Sequence, residues 1–396
     1  MNTTAKMRPK ILYGCGADSY YAIKMDVPDP YLWYQGCDGQ THVIMSPLEV
    51  DRATKHAQVD HVHSMADVAN TLQAEDKPRT LLNMALWLIR QDDATDDVQP
   101  DPIQAPRDFP FALASGLQQE GVALQPAESF FFPERAIKTR EEVNQIRQAQ
   151  ALNEQAFTHA FAVLAESQIG PDGTLYWQQE VLTAEKLRGQ MNAVIATGGG
   201  MPSDLIIACG AQGADPHERG HGPLKAHELI VIDSFPRGPS GNFYHGDLTR
   251  TVLKGTPTKE QQKLFQTVKQ GQQKALDMLS AQVAGADVHS TIEQHFAAQG
   301  YTTGLDSKGR NTGFFHGTGH SIGLEVHDQG PGISRRRVHD EKNQQKPPLL
   351  QAGLVVTVEP GLYYPDLGGV RIEDIVHITE NGIENLTSLP KELVIA

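Results

Sequence analysis

Hydrophobic residues recur along the chain with two different periods, and these predict a fold that mixes helices and strands. The clearest helical pattern begins at Thr139 and Glu142, which are spaced as a capping box. Behind them, apolar residues recur three or four positions apart: Val143, Ile146, Ala149, Leu152, Ala156, Phe157, Ala160, Phe161 and Leu164. This pattern predicts a long amphipathic helix, which we interpret as scaffold rather than as part of a site.

Similar patterns predict further elements towards the C-terminus. We expect helices over residues 183–195, after the capping pair Thr258 and Gln261, and over residues 287–299. The apolar run at residues 205–208 predicts a strand. Helices followed by a predicted hairpin occur twice, before Asp247 and again before Glu373, which suggests two similar halves folded around one site.

In the first part of the chain, the sequence predicts strands at residues 41–45 and 122–124 and a helix at residues 109–117, so strands and helices alternate there too. The apolar run at residues 81–89 is compatible with either type of element. A boundary is expected at residues 133–135, where proline and charged residues follow each other. We therefore predict an α/β unit over residues 1–135 and a second domain over residues 136–396.

Four acidic residues interrupt or end apolar strands of the second domain: Asp233, Asp247, Glu359 and Glu373. Asp233 and Asp247 lie on two runs that predict one hairpin. An ionised carboxylate in such a place is costly unless it is paired or bound to a metal. One such residue would be explained by a rim position or a salt bridge, but four favour a cation site.

Three histidines, His316, His320 and His327, lie in one glycine-rich stretch. Glycine destabilises a helix interior by about 1 kcal/mol relative to alanine, so this stretch is not a good helix. Apolar residues alternate over residues 322–326, which predicts a strand. A turn with solvated histidines would explain one of them, whereas three together favour a site that includes His320.

Carboxylates and imidazoles are ligands that suit Mn, Zn, Co or Fe ions. Four clustered carboxylates carry a charge of about −4, and their mutual repulsion raises their pKa values. Two divalent cations would neutralise this charge. Paired metals about 3.5–4 Å apart activate a bridging water and polarise a carbonyl. Hydrolysis of an amide bond is the chemistry that such a site favours.

The composition agrees with an ordinary soluble enzyme. The net charge of the 396-residue chain is −14, which argues against nucleic acid as a partner. Three cysteines that lie far apart, Cys15, Cys37 and Cys209, imply neither a disulfide framework nor a thiolate metal site. No signal peptide and no membrane-spanning run is visible, so we expect a cytoplasmic protein.

The acidic residues and His320 resemble, in order and context, the five ligands of the pita-bread metallopeptidases. The contexts that carry the resemblance are Asp-Leu-Thr-Arg-Thr at 247–251, Glu-Pro-Gly-Leu-Tyr at 359–363 and Arg-Ile-Glu-Asp at 371–374. The family includes methionine aminopeptidase, aminopeptidase P and prolidase. The resemblance implies an α/β N-terminal domain of the creatinase type followed by an α+β pita-bread catalytic domain.

The resemblance also implies roles for the five ligands. Asp233 is expected to bind one metal with both oxygens, and Asp247 and Glu373 to bridge two metals. His320 and Glu359 are expected to complete the second metal's ligands. The two divalent ions would be Mn, Zn or Co, and Glu359 is also the expected general base.

Other residues are assigned to the cleft and to the layer behind the ligands. By resemblance, His327 is expected to stabilise the scissile carbonyl, His316 to line the cleft and His217 to meet the substrate. A surface histidine beside His221 is the alternative for His217. Behind the ligands we expect Arg371, Thr249 and Tyr363; for Thr249 the alternative is a plain β-sheet former.

Two features leave questions open at this stage. The spacing from Asp233 to Asp247 is longer than is usual in the family, with residues 236–241 as an insert that could remodel the rim of the site. Arg335, Arg336 and Arg337 could bind the free carboxylate of a dipeptide, or they could form a solvated basic patch.

The expected function is the metal-dependent hydrolysis of the bond between an N-terminal residue and proline, in dipeptides or short peptides. Proline lacks an amide N–H and is rigid, so a site can select it by shape. The alternatives are a peptidase of the same fold without proline specificity, and a catalytically silent binding protein. The family suggests a homodimer.

Overall fold

The computed structural model describes residues 7–92, 101–336 and 346–396. The chain divides into two compact units, one that ends at Pro133 and one that runs from Glu134 to Ala396. The boundary expected from the sequence, between residues 135 and 136, lies close to this division.

The described part of the first unit contains a mixed six-stranded sheet in the order β4-β3-β2-β1-β5-β6. The strands are β1 (Lys10–Gly14), β2 (Tyr31–Gln35), β3 (Thr41–Met45), β4 (His61–Ser64), β5 (Ile103–Ala105) and β6 (Leu124–Pro126). The helices are α1 (Ala17–Ile23), α2 (Val50–His56), α3 (Met65–Ala74), α4 (Leu81–Ile89) and α5 (Phe111–Gln119). Separate hydrophobic clusters contain Ile11 and Leu12, which point to opposite faces of β1. Both faces of this sheet are therefore covered, and the ambiguous run at residues 81–89 is a helix.

The second unit contains four long helices in its described residues: α6 (Arg140–Glu166), α7 (Ala184–Thr197), α8 (Lys259–Met278) and α9 (Gly285–Ala298). Its strands up to α8 are β7 (Gln168–Ile169), β8 (Leu175–Trp177), β9 (Glu180–Val181), β10 (Ile206–Cys209), β11 (Ile230–Ser234) and β12 (Leu248–Lys254). Those after α9 are β13 (Gly304–Leu305), β14 (Asn311–Thr312), β15 (Val355–Val358), β16 (Gly361–Tyr364), β17 (Gly368–Arg371), β18 (Asp374–Thr379), β19 (Gly382–Asn385) and β20 (Val394–Ile395).

Two helices of the second unit, α6 and α8, begin at the capping boxes that the sequence predicts. The side chains of Thr139 and Glu142 form the predicted capping box of α6, and Thr258 and Gln261 form that of α8. One hydrophobic cluster packs α6 and α7 against the sheet β10-β11-β12-β20. Another packs α8 and α9 against β15 to β18. Each helix pair thus buries one face of a set of strands.

The strands place the acidic residues at defined points. In the hairpin β11–β12, Asp233 lies opposite Thr249, and Asp247 directly precedes β12. Glu359 directly follows β15, and Glu373 lies between β17 and β18. The predicted hairpin is confirmed, and each carboxylate lies on or next to a paired strand.

The strand predicted over residues 322–326 is wrong, because the backbone bends there. The amide of Asp328 donates to the carbonyl of Ser321 at 2.8 Å, and the amide of Leu324 donates to Oδ2 of Asp328 at 3.1 Å. Ile322 still donates to the carbonyl of Val355 in β15 at 3.1 Å, but beyond this contact the bonds to Asp328 close a compact loop instead of a strand.

Among the described residues, no helix combines the length and the apolar character that crossing a membrane requires.

Removing one partner of the buried ion pair of Arg250 and Asp374 is expected to destabilise the protein strongly, because the remaining buried charge loses its compensation. The two side chains are 2% and 1% exposed and lie 2.9 Å apart, and Arg250 also donates to the carbonyl of Leu389 at 2.7 Å. Replacing Arg250 by Met removes the charge and these donors, so the free energy of unfolding in a urea titration should fall by about 3 kcal/mol.

Arg147 provides the matched control, because its pair with Glu384 has side chains that are 40% and 49% exposed. Arg147→Met should change the free energy of unfolding by about 0–1 kcal/mol. Equal losses for the two variants would contradict the expected role of Arg250.

Candidate metal centre and active site

A cavity of about 860 Å³ in the second unit brings most of the predicted site residues together. The predicted residues on its wall are Asp233, Asp247, His320, Glu359, Glu373, His217, His316, His327 and Arg371. Apolar side chains complete the lining, among them Ile206, Phe235, Phe315 and Val326. Residues far apart in the chain therefore meet on one surface.

The imidazole of His320 faces two carboxylates. Its Nε2 lies 3.6 Å from Oδ2 of Asp247 and 3.4 Å from Oε1 of Glu359. Its Nδ1 lies 3.2 Å from the carbonyl of Ser321, which can only accept, so we place the proton on Nδ1. Burial lowers the pKa of His320, so the ring is neutral and its Nε2 presents a lone pair to the carboxylate oxygens.

The carboxylates of Asp233 and Glu373 each have one oxygen held and one without a partner. Oε2 of Glu373 accepts from the hydroxyl of Thr249 at 2.7 Å, and Oδ2 of Asp233 accepts from Arg371 at 2.6 Å. Oε1 of Glu373 and Oδ1 of Asp233 are buried and make no hydrogen bond. Buried polar atoms are normally satisfied, so these oxygens indicate a ligand-binding role.

Burial raises the pKa values of Asp247, Glu359 and Glu373. Desolvation, followed by the charges of Glu373, Asp233 and Glu359, holds the pKa of Asp247 well above its usual range. Desolvation, followed by the charges of Glu359 and Asp233, does the same for Glu373. Desolvation raises the pKa of Glu359 to about 7. The cluster is thus destabilised when it is ionised unless positive charge is added.

These observations fit divalent cations. Among the described residues, Asp247, His320 and Glu373 form the one group of three or more potential ligands whose donor atoms all lie within 4.8 Å of one another. The facing lone pairs, the unpartnered oxygens and the raised pKa values are all relieved by a cation. The mixture of oxygen and imidazole ligands suits Mn, Zn or Co. Asp233 and Glu359 adjoin this group as further candidate ligands.

A directional chain of hydrogen bonds lies behind the ligands. Nη1 of Arg371 donates to the hydroxyl oxygen of Tyr363 at 2.9 Å, and that hydroxyl lies 2.8 Å from Nε2 of His316. Nδ1 of His316 lies 2.7 Å from the carbonyl of Gly317, so it carries the proton and Nε2 accepts from Tyr363. Burial lowers the pKa of His316 to about 3, which keeps this ring neutral.

Thr249 is a hydrogen-bonding residue as well as a β-strand residue. Its side chain is buried, donates to Glu373 and lies 3.2 Å from Nε of Arg371. Arg371 in turn contacts Asp233, Thr249 and Tyr363. The three predicted supporting residues therefore form one network with two of the candidate ligands.

The remaining predicted histidines occupy different positions. The ring of His327 packs edge-on against His320, with the ring centroids 4.2 Å apart; His327 is exposed, and partial desolvation of its ring lowers its pKa. His217 is exposed, and its amide donates to Asp215 at 3.1 Å. His217 and His327 both line the cavity, whereas His221, the neighbour considered with His217, does not.

Three further residues position the site and were not singled out in the sequence. Oε1 of Gln150 accepts from the amide of Asp247 at 2.9 Å, and Asn153 donates to the carbonyl of Ser234 at 2.5 Å. Thr357 accepts from the amide of His320 at 3.0 Å, and its hydroxyl lies 3.3 Å from Oε1 of Glu359. Helix α6 is therefore more than scaffold. The sequence signal for this role was the presence of two amide side chains, Gln150 and Asn153, within the apolar stripe of the helix.

The sequence left open the roles of the arginines at 335–337 and of the insert at 236–241. None of their described residues lines the cavity. Arg335 pairs with Glu293, its side chain is 62% exposed, and it does not line the cavity. Arg337 lies outside the described residues. Next to the insert at 236–241, Asn242 donates to the carbonyl of Gln145 at 2.7 Å, which attaches this segment to α6. Phe235, which precedes the insert, lines the cavity.

Comparison with known proteins identifies related sequences. The model of metallopeptidase family M24 matches residues 144–380. The chain is 32% identical over 265 residues to the uncharacterized peptidase YqhT of Bacillus subtilis, which covers 66% of this chain and 65% of that protein. It is 32% identical over 262 residues to the Xaa-Pro dipeptidase of Pyrococcus furiosus, with the same coverage of each chain. The matches span about 65% of the length of these curated relatives.

The whole chain resembles a solved structure. The prolidase of Pyrococcus horikoshii OT3 superposes with a TM-score of 0.75 at 21% identity, over 98% of this chain and 95% of that chain. The fold class expected from the sequence, a creatinase-type N-terminal domain followed by a pita-bread domain, is confirmed.

Tyr363→Phe is expected to weaken the network behind the ligands. The change leaves one donor of Arg371 and the Nε2 acceptor of His316 without a partner in a buried place, which should lower the free energy of unfolding by about 1–3 kcal/mol. Chemical denaturation would measure this loss, and histidine NMR would report the change at His316.

Tyr364→Phe is the control, since its hydroxyl bonds the carbonyl of Thr302 at 3.2 Å in a partly exposed position. Its expected loss is about 1 kcal/mol or less. A larger loss for Tyr364→Phe than for Tyr363→Phe would contradict the proposed importance of the Arg371–Tyr363–His316 chain.

Proposed function

This chain belongs to metallopeptidase family M24, and we propose that it hydrolyses the peptide bond between an N-terminal residue and proline, in dipeptides or short peptides. The observation that carries the proposal is the imidazole of His320, whose Nε2 faces two carboxylates in a cavity large enough for a short peptide. The Xaa-Pro dipeptidase among its sequence relatives supports the choice of substrate.

We propose that two divalent ions of the Mn, Zn or Co type are held by the five predicted ligands: Asp233, Asp247, His320, Glu359 and Glu373. The unpartnered oxygens of Asp233 and Glu373 support the inclusion of both carboxylates. When bound, the ions would supply Lewis-acid polarisation of the scissile carbonyl and a water acidic enough to attack it.

Side chains of the cavity wall would transfer the proton of the attacking water and stabilise the negative charge that develops on the carbonyl oxygen. Glu359 would accept the proton of the attacking water and deliver it to the departing proline nitrogen. His327, whose ring borders His320, would donate to the carbonyl oxygen as negative charge develops there. His316 and His217 would border the bound peptide, with His316 held by Tyr363.

Selection of proline would rest on shape. A proline ring fixes the backbone and carries no amide hydrogen, so a rigid apolar wall can accept it without leaving a donor unpaired. Phe235, Phe315, Ile206 and Val326 provide apolar surface beside the candidate ligands. A peptide with an ordinary residue at this position would bury its amide N–H against such a wall at a cost.

The first test is hydrolysis of Ala-Pro and Ala-Pro-Ala-Ala by the purified protein after it is loaded with Mn²⁺ or Zn²⁺. Cleavage should be lost with a chelator and restored when the metal is returned. Cleavage of the dipeptide alone identifies a dipeptidase, and cleavage of the tetrapeptide identifies an aminopeptidase.

Ala-Ala is the matched control for proline selection. Equal cleavage of Ala-Ala and Ala-Pro would favour a peptidase of this fold without proline specificity. Two bound metals with no hydrolysis of any of these peptides would contradict the proposed reaction and favour a binding protein.

His327→Gln tests the proposed donor to the carbonyl oxygen. Because the interaction would be made mainly in the transition state, kcat should fall about 10²-fold or more while KM changes little. The metal content, measured by mass spectrometry, should be unchanged. His221→Gln is the control: its side chain is 72% exposed and lies off the cavity wall, so its kinetics should match those of the unmodified protein. A loss of metal in His327→Gln would instead make this residue a ligand.

A further inference from the structure

A group of buried charges lies next to His327, and the proposed mechanism does not use it. Oδ1 of Asp328 lies 2.5 Å from Nη2 of Arg135, and Oδ2 of Asp328 lies 3.3 Å from Nζ of Lys138. The side chains of Arg135, Lys138 and Asp328 are 2%, 1% and 1% exposed. We name these three residues the Asp328 cluster.

The carboxylate of Asp328 also holds the backbone of its own loop. Oδ2 accepts from the amide of Leu324 at 3.1 Å, and Oδ1 accepts from the amide of Gln329 at 2.8 Å. The amide of Asp328 itself donates to the carbonyl of Ser321 at 2.8 Å. The side chain of Asp328 therefore closes the bend over residues 321–328 together with backbone hydrogen bonds, where the sequence predicted a strand.

This bend joins two residues of the candidate site. His320 directly precedes it, and His327 directly precedes Asp328. The two imidazole rings meet with their centroids 4.2 Å apart because the chain turns back between them. A change in the bend would therefore alter the position of one ring relative to the other.

The cluster also connects this bend to the strand before Glu359. The amide of Lys138 donates to the carbonyl of Gly353 at 2.8 Å, two residues before β15 begins. Glu359 lies at the other end of β15. The position of the bend is thus fixed relative to the strand that carries the proposed general base.

Burying three charged groups costs more than packing apolar residues of the same size, so stability alone is a weak reason for the cluster. The geometry offers a specific reason, because only a carboxylate can accept from both loop amides and from both cations at once. We propose that Asp328 is a positioning residue that sets His327 against His320 on the cavity wall. The kinetic part of this inference rests on the proposed function, and its structural part does not.

Asp328→Asn tests the proposal, with Glu325→Gln as the matched control. Asparagine replaces one acceptor oxygen by a donor, so one loop amide loses its partner. Glu325 pairs with the same Arg135 at 3.0 Å, but its side chain is 56% exposed. We expect Asp328→Asn to lower kcat about 10- to 100-fold with KM changed by less than about threefold, and Glu325→Gln to leave both unchanged.

A second variant separates positioning from loss of folding. Asp328→Asn removes the anion that Arg135 and Lys138 share, leaving Arg135 with Glu325, whereas Asp328→Asn combined with Lys138→Met restores the original net charge of the cluster. We expect the double variant to recover much of the thermal stability but not kcat, because the loop amide still lacks its acceptor. Recovery of kcat together with stability would overturn the proposal and leave the cluster a purely electrostatic support of the fold.

An NMR measurement tests the structural part without activity. In histidine-labelled protein, the nuclear Overhauser signal between the rings of His320 and His327 should be present in the unmodified protein and in Glu325→Gln. This signal should be weaker in the double variant, and an unchanged signal there would overturn the positioning role. If the unmodified protein cleaves no Xaa-Pro peptide but the double variant shows the weaker signal, the proposed function is refuted while the role of Asp328 is supported.

Discussion

The second unit buries several carboxylates on one cavity wall, beside an imidazole whose Nε2 carries no proton. Asp247 and Glu373 are 3% and 2% exposed, and each is desolvated while it faces other acidic groups. Arg371 is a buried cation on this wall, but its contacts are with Asp233, Thr249 and Tyr363. One guanidinium cannot balance four carboxylates, so the arrangement is stable in its ionised form only with added cations. The strands and the layer behind the ligands can be understood from this constraint.

The residues that hold the ligands in place are mostly neutral. Thr249 and Thr357 bond the carboxylates of Glu373 and Glu359 through hydroxyl groups, and Gln150 holds the backbone at Asp247 through an amide. Neutral groups can fix geometry in a buried site without changing its charge balance. This explains why polar side chains of α6 lie within an apolar stripe: they reach strands that the helix also packs against.

The site combines two kinds of support. Asp233, Asp247, Glu359 and Glu373 lie on or directly next to paired strands, which hold side chains at fixed spacing. The backbone of His320 is held by hydrogen bonds to Thr357 of β15, whereas His327 lies at the end of a loop whose shape depends on the bonds of Asp328. We propose that the Asp328 cluster fixes the part of this loop beyond its last bond to β15, which joins the electrostatics of the fold to the placement of His327.

The sequence by itself determined the elements with strong local signals. The capping boxes at Thr139 and Thr258 and the hairpin that carries Asp233 and Asp247 needed only neighbouring residues, and motif contexts identified the five candidate ligands and the fold. Tertiary structure decided what depends on distant partners. The alternation at 322–326 predicted a strand, but the bend is stabilised by Asp328 and by cations almost two hundred positions earlier in the chain. Periodicity cannot encode such a contact, because it records which face is buried and not which atom lies there. For the same reason the roles of Gln150, Asn153 and Thr357 emerged only when helix, strand and loop were brought together.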